Sequence, residues 1–284
     1  MPAAGLIEIR RRIKSVTNTK KITKAMGLVA TSKLRKARER LDVNSKFYAG
    51  FDEILDEVLR SNEEANVYQN GNGSPKKLYI SITSDTGLCG GYNSSVMNAT
   101  TEELSKDPEN SYLMVVGQKG RTFFNKLKFE TVAEYVDIGD IPDLNEAKVI
   151  GSHALRMYAA GEVGEVNVVY TKFVSPVKQV VEVKKILPLP NYTDAALNEL
   201  VKFEPQVNNL LIDLVDTYMV EKVINYMFNA KASEQSARMA AMDGATQNAD
   251  EILEKLNLKY NRIRQSAITQ EISEIVGGAE AQKG

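Results

Sequence analysis

The chain has 284 residues, 43% hydrophobic and 26% charged, with no Trp, 8 Pro and a single Cys, Cys89. That is enough apolar material for one or two globular domains, and too little cysteine for an intramolecular disulfide or a two-cysteine metal site. The net charge of −1 hides an asymmetry: residues 1–46 carry 13 Lys and Arg against 3 Asp and Glu, and the remainder carries 23 against 34. A basic end on an acidic body implies a partner for the basic end. No apolar run approaches the roughly 20 residues needed to cross a bilayer. The opening MPAAGLIEIRRR puts its charges after a very short apolar stretch, the wrong order for a secretory signal.

No proline occurs between Ala3 and Ser74. Within that stretch Ala30, Leu34, Ala37, Leu41, Asn44, Tyr48, Phe51, Leu55 and Val58 alternate spacings of 4 and 3, the seam of a helix laid along another helix. Towards the N-terminus the stripe passes through Met26 and Ile22, turns polar over residues 17–21, and resumes at Val16, Ile13 and Ile9. The spacing predicts one helix from about residue 6 to about residue 60, roughly 80 Å long. Gly27 lies inside it at a cost of about 1 kcal/mol, which suits close backbone packing.

Residues 62–74 (NEEANVYQNGNGS) read as a polar linker. Residues 77–83 (KLYISIT) read as a strand followed by a Gly-rich turn and a helix from about Tyr92. A second strand at 112–116, a third at 130–135, a helix over 144–160 and two strands at 166–173 and 177–187 follow. Strands alternating with helices predict a Rossmann-like sheet. After Pro205 a second uninterrupted helix is expected over about 206–276, with a seam at Met242, Ala245, Ala249, Ile252, Leu256, Tyr260, Ile263 and Ala267 and a stop at Gly277–Gly278.

The expected fold is therefore α/β: an antiparallel coiled coil of long N- and C-terminal helices (residues 1–61 and 205–278) plus a Rossmann-like α/β domain (75–190). If both helices leave the domain at one level, the second overhangs by about 25 Å. That leaves a single-helix tip from about Asn261 and sets Met26 opposite residues 238–242.

Catalytic signatures are missing. SDTGLCGGYN (84–93) lies between a strand and a helix, where phosphate-binding loops sit, but matches neither G-x-G-x-x-G nor G-x-x-x-x-G-K-[ST]. GQKGRT (117–122) has a Lys at the wrong spacing. For both, a tight turn needing glycine is the simpler reading. Cys89 reads as a buried structural cysteine. His153 is the only histidine, so a site needing two is excluded. The basic stretch 10–46 admits a nucleic-acid reading, against which stand its few aromatics and a seam committed to helix pairing. A coiled-coil nucleic-acid-binding protein and a dinucleotide enzyme remain the alternatives to a mechanical protein.

Three motifs carry a resemblance: IRRRIKSVTNTKKITKAMGLVATSKLRKA (9–37), SDTGLCGGYN, and SEQSARMAAMDGATQNA with YNRIRQSAITQEISEIVGG (within 233–278). In this order they resemble the gamma subunits of bacterial-type F-type ATP synthases. The resemblance implies a non-catalytic rotor shaft without a cofactor, turning inside a hexamer of alpha and beta subunits. Its α/β domain would stand as a foot, with epsilon, on the membrane ring of c subunits, and no nucleic acid is involved. Catalysis would lie on the beta subunits.

Carried over by motif, Met26 matches the family's coupling methionine and Arg238 the arginine opposite it. Arg264, Gln265 and Thr269 match tip residues that meet the beta subunit, and Glu204 resembles a foot position near epsilon and the ring. Thr86 stands where the family usually has Lys or Arg, and Gly27–Leu28 where it more often has a larger residue and Met. The chain lacks the cysteine-bearing insertion of chloroplast relatives. Its start implies a bacterial chain at the cytoplasmic face of the cell membrane, or a mature organellar one.

Overall fold

The computed structural model describes residues 2–62, 66–190 and 207–281. The first helix, α1, runs over Pro2–Ser61 and the last, α6, over Val207–Ala281. Between them lie a one-turn helix α2 (Val67–Asn70), strand β1 (Lys77–Ile82), helix α3 (Tyr92–Lys106) and strand β2 (Ser111–Val116). Helix α4 (Gln118–Lys126), strand β3 (Thr131–Tyr135), helix α5 (Leu144–Ala159) and strands β4 (Glu165–Phe173) and β5 (Gln179–Leu187) follow among the described residues. Two compact units result, one from residues 1–29 with 239–284 and the other from residues 30–238.

In the larger unit the strands form one sheet in the order β3-β2-β1-β4-β5. Neighbours are parallel except β4 and β5, an antiparallel hairpin. The chain steps from β1 outward to β3 through α3 and α4, then returns to β4 through α5. Because such crossovers are right-handed, reversing direction places α5 on the opposite face from α3 and α4. Tyr79, Leu113, Val115 and Val169 pack with Val96 and Leu104 of α3 and Phe124 of α4. The alternate residues serve the other face, where the Tyr170 ring meets Tyr226 of α6 with centroids 4.4 Å apart. Gly151 of α5 allows a close crossing with α6: a Cβ there would lie 3.3 Å from the Met219 backbone. On α1 the seam residues Ala30, Leu34, Ala37, Leu41, Leu55 and Val58 are all buried, as the spacing requires.

The expected polar linker is instead a packed corner. The Asn66 side chain accepts from the Tyr68 N–H to cap α2, and buried Gln69 donates to the Leu59 carbonyl at 3.0 Å. The Asn72 amide donates to the carbonyls of Tyr158 and Val163 at 2.7 and 2.8 Å. Asn and Gln here satisfy backbone groups that would otherwise be orphaned. Strand β5 begins two residues later than the sequence suggests, because residues 175–178 close the hairpin turn, with the Lys178 N–H donating to the Ser175 carbonyl.

In the smaller unit α1 and α6 run antiparallel. Lys20 pairs with Asp250, Thr23 and Thr246 share a hydroxyl–hydroxyl bond of 2.8 Å, and a Cβ on Gly27 would lie 3.6 Å from that of Met242. These pairs continue the 4 and 3 spacing of the seam without a break through Lys20, Thr23 and Gly27. Two seam assignments shift accordingly. Ile22 is 59% exposed and Thr23 takes its place; Ile252 is 44% exposed and half-buried Leu253 takes its place. Helix α6 also continues through Gly277 and Gly278 to Ala281. Glycine weakens a helix, but ending one calls for a left-handed residue, and neither glycine has positive φ.

Candidate functional site

The SEQSAR motif folds into a buried polar clamp between α6 and the carboxyl end of the sheet. Ser233 donates to the Thr171 carbonyl of β4 at 3.1 Å, and Ser236 to the Pro176 carbonyl at 2.7 Å. Glu234 is only 3% exposed; its carboxylate takes Arg238 at 2.7 Å and Lys231 at 3.6 Å. The rest of the Arg238 guanidinium reaches the turn after β1. Nη2 donates to the Thr86 carbonyl (3.1 Å), the Thr86 hydroxyl (2.9 Å) and the Gly87 carbonyl (3.2 Å), and Nε also donates to Gly87. Thr86 is an acceptor for Arg238 through both its carbonyl and its hydroxyl.

The two glycine-rich turns pack against each other, and the chain's own groups close the N-terminus of α4. Asp85 accepts from the Gln118 N–H at the start of α4 (2.9 Å) and from the Asp137 N–H (3.1 Å), so a carboxylate of the chain itself occupies the place an anion would take. Gly117, at φ +98°, leaves no space for a side chain, since a Cβ would lie 2.4 Å from the Thr83 carbonyl oxygen. A Cβ on Gly120 would lie 2.7 Å from the Thr83 hydroxyl, which accepts from the Gly120 N–H. Burial pushes the Cys89 thiol above its usual range, outweighing a hydrogen bond from Ser84, so it stays protonated. His153 receives or gives one bond at Nδ1 with the Tyr135 hydroxyl, 2.7 Å away. No group of three or more metal-ligating side chains occurs among the described residues.

The other predicted contact residues lie in the coil. Met26 is half-buried. The observed register, with Gly27 beside Met242 and Asp243, sets it level with Asp243 rather than with residues 238–242. Arg264, Gln265 and Thr269 are exposed, with the Thr269 hydroxyl returned to the Gln265 carbonyl at 3.0 Å. The same register brings Pro2 level with about residue 267. Tyr260, Ile263 and Ala267 are accordingly half-buried, and the single-helix tip starts near Ile268, later than a count from chain lengths suggests. On it Ile268, Ile272, Ile275 and Val276 are 47–71% exposed. Glu204 lies outside the described residues.

The sequence did not single out Glu234 or Lys231. Their signal was a Glu and a Lys one helical turn from Arg238 inside an alanine-rich helix, which reads as an ordinary surface ion pair until the sheet covers it.

Helices of 60 and 75 residues, antiparallel where they pair, with an α/β sheet whose turns are filled by their own side chains, define a central-stalk type of mechanical protein. A sequence profile described as ATP synthase matches residues 5–282. The chain is 56% identical to the ATP synthase gamma chain of Clostridium pasteurianum over 281 residues, covering 99% of this chain and 100% of that one. It is 55% identical to the gamma chain of Clostridium novyi, with both chains fully covered. The chain belongs to the ATP synthase gamma-chain family.

Among solved structures, a chain of the central stalk and c-ring of the Tetrahymena thermophila mitochondrial ATP synthase matches with a TM-score of 0.61 at 25% identity, over 79% of this chain and 99% of that one. A chain of the Euglena gracilis mitochondrial OSCP/F1/c-ring assembly matches with a TM-score of 0.71 at 17% identity, over 99% and 95%; this second likeness concerns the fold. The nucleic-acid reading finds no support in these matches.

Proposed function

We propose that the chain is the central rotor shaft of a rotary F-type ATP synthase. In this reading residues 1–61 and 205–278 form the shaft and residues 75–190 the foot. The foot stands with epsilon on the c-ring at the cytoplasmic face of a bacterial membrane. The shaft turns inside an alpha–beta hexamer whose beta subunits hold the catalytic sites. Met26, Arg238, Glu204 and the tip residues Arg264, Gln265 and Thr269 are the proposed contact positions, Arg238 acting from within the chain's own clamp.

The observation that carries the reading is the clamp in a chain that matches gamma chains along its whole length. A shaft must receive torque, and torque on the sheet reaches α6 through bonds that resist sliding: Ser233, Ser236 and Arg238 hold α6 to β4, to the β4–β5 turn and to the turn after β1. Charge-assisted bonds in a buried setting are stronger and better fixed in direction than exposed ones. The tip has the opposite character. Its exposed isoleucines offer apolar, non-directional contact, which lets a surface slide past without breaking aligned hydrogen bonds.

No helix among the described residues is long and apolar enough to cross a membrane, as a peripheral subunit requires. The test is purification from native membranes with a tag on this chain. Recovery with stoichiometric alpha and beta subunits is expected; recovery alone, or with nucleic acid, contradicts the reading.

A further inference from the structure

On the larger unit a polar groove of about 670 Å³ opens between α1, α6 and the strands β4 and β5. Its deeper end is settled: Lys222 pairs with Asp52 at 3.1 Å and lies 3.9 Å from the centre of the Tyr48 ring. Its exposed part is short of negative charge. Arg38, Lys172, Lys184 and Lys185 line it against two carboxylates, Asp42 and Glu182. Glu182 already accepts from the Tyr170 hydroxyl at 3.1 Å and divides its oxygens between Lys172 at 3.4 Å and Lys184 at 3.7 Å. Arg38 lies over the Phe173 ring, 5.7 Å from its centre. Neither Arg38 nor Lys185 has a carboxylate within 4.0 Å among the described residues. These two cations stand at opposite ends of the groove. Arg38 is level with Phe173, and Lys185 pairs across the hairpin with Asn167. About six residues of strand, roughly 20 Å, separate those levels.

We infer that this groove takes an extended acidic segment of a partner protein, with two carboxylates about 20 Å apart that reach Arg38 and Lys185. Charge complementarity selects an anion, and the surplus of two cations over the lining carboxylates matches two acidic side chains. The distance between the cations prevents one phosphate or one carboxylate from serving both. An extended chain covers that span in about six residues, a helix only in about thirteen. β5 is the edge strand of the sheet, with no strand on its outer side among the described residues. An extended segment therefore finds open backbone N–H and C=O groups beside the groove. The inference goes beyond the rotor reading. It is tested on the purified chain, so its failure is distinguishable from failed recovery of alpha and beta subunits.

Calorimetry on the full chain at low salt, with two capped peptides of one composition, is the experiment. Both are neutral Ser/Thr-rich peptides carrying two Glu, placed about six residues apart in one and adjacent in the other. The spaced peptide should bind about three- to fivefold more tightly than the adjacent one, and more weakly as salt rises. Arg38→Gln and Lys185→Gln should each weaken the spaced peptide by about three- to fivefold. Both should leave the melting temperature unchanged, because both side chains are exposed. No binding at millimolar peptide, equal binding of the two peptides, or a spaced peptide indifferent to both variants would overturn the proposal. Inorganic tripolyphosphate is the third probe. If it binds more tightly than the spaced peptide and loses that binding in the same variants, the groove takes a phosphate polymer and the proposal is overturned.

Discussion

Arg238→Ala is the perturbation that separates a clamp inside the chain from a surface arginine. The Arg238 and Glu234 side chains are 9% and 4% exposed and 2.7 Å apart. Removing the arginine leaves a carboxylate in a nearly dry site and strips donors from the carbonyls of Thr86 and Gly87. Breaking a buried pair from one side costs about 3–5 kcal/mol. Lys231 stays 3.6 Å from the other Glu234 oxygen and keeps part of the compensation, so the low end, about 3 kcal/mol, is expected. That lowers the folded-to-unfolded ratio roughly a hundredfold. An exposed ion pair would cost about 0–1 kcal/mol. The assay is urea unfolding of the purified chain by circular dichroism, with hydrogen exchange read at residues 84–92. Arg238→Met combined with Glu234→Leu and Lys231→Met should recover most of the loss, since no charge of the cluster is then left unpaired. A loss below about 1 kcal/mol, or a triple variant as unstable as the single one, would refute the clamp.

Gly27→Ala should leave the coil intact and raise its stability by up to about 1 kcal/mol in thermal unfolding, because alanine favours the helix. Its Cβ would meet only the exposed Asp243 carboxylate at 3.3 Å and Met242 at 3.6 Å. Gly27→Leu should instead push the helices apart and cost about 1–3 kcal/mol. Backbone amides beyond Ile268 should exchange fast in the isolated chain and slowly in the assembled complex; equal protection in both would remove the idea of a sleeve around the tip. Met26→Lys should leave assembly and hydrolysis in place while weakening ion pumping. The lysine can extend outward from an apolar stem, and a new ion pair worth about 1.4 kcal/mol at a slow step retards rotation about tenfold. An unchanged ratio of transport to hydrolysis in vesicles would leave Met26 as a packing residue.

The strands and the long helices were legible because each rests on a local period. Asp143 and Glu146 form a full capping box at the start of α5, a signal three residues apart in the sequence that the reading of a helix over 144–160 did not use. The seam slipped at Ile22 because searching for apolar side chains overrides the geometric repeat where the repeat passes through Thr23 or Gly27, and at Ile252 because its neighbour Leu253 is equally apolar, so side-chain character alone did not choose between them. Polar layers keep their place in a heptad because the backbone sets the spacing. The corner at residues 66–72 was read as a linker since its Asn and Gln look like solvent-facing residues until their backbone partners, 10 to 91 residues away, are known. The clamp was hidden for the same reason. Glu234 and Arg238 are neighbours on a helix, but their burial comes from strands some 60 residues earlier. Turn chemistry was half visible: the glycines marked tight turns, while the Asp85 carboxylate that closes the α4 N-terminus required the fold.

Torque transmission is tested most directly by watching the chain turn. Val177 is 94% exposed in the β4–β5 turn while Cys89 is 2% exposed, so Val177→Cys takes a maleimide-linked bead at one site only. With the catalytic hexamer fixed to a surface and ATP supplied, the bead should rotate in one direction and stop when ATP is withdrawn. A bead that only fluctuates about a fixed angle, while the same complex hydrolyses ATP at its normal rate, would contradict the shaft.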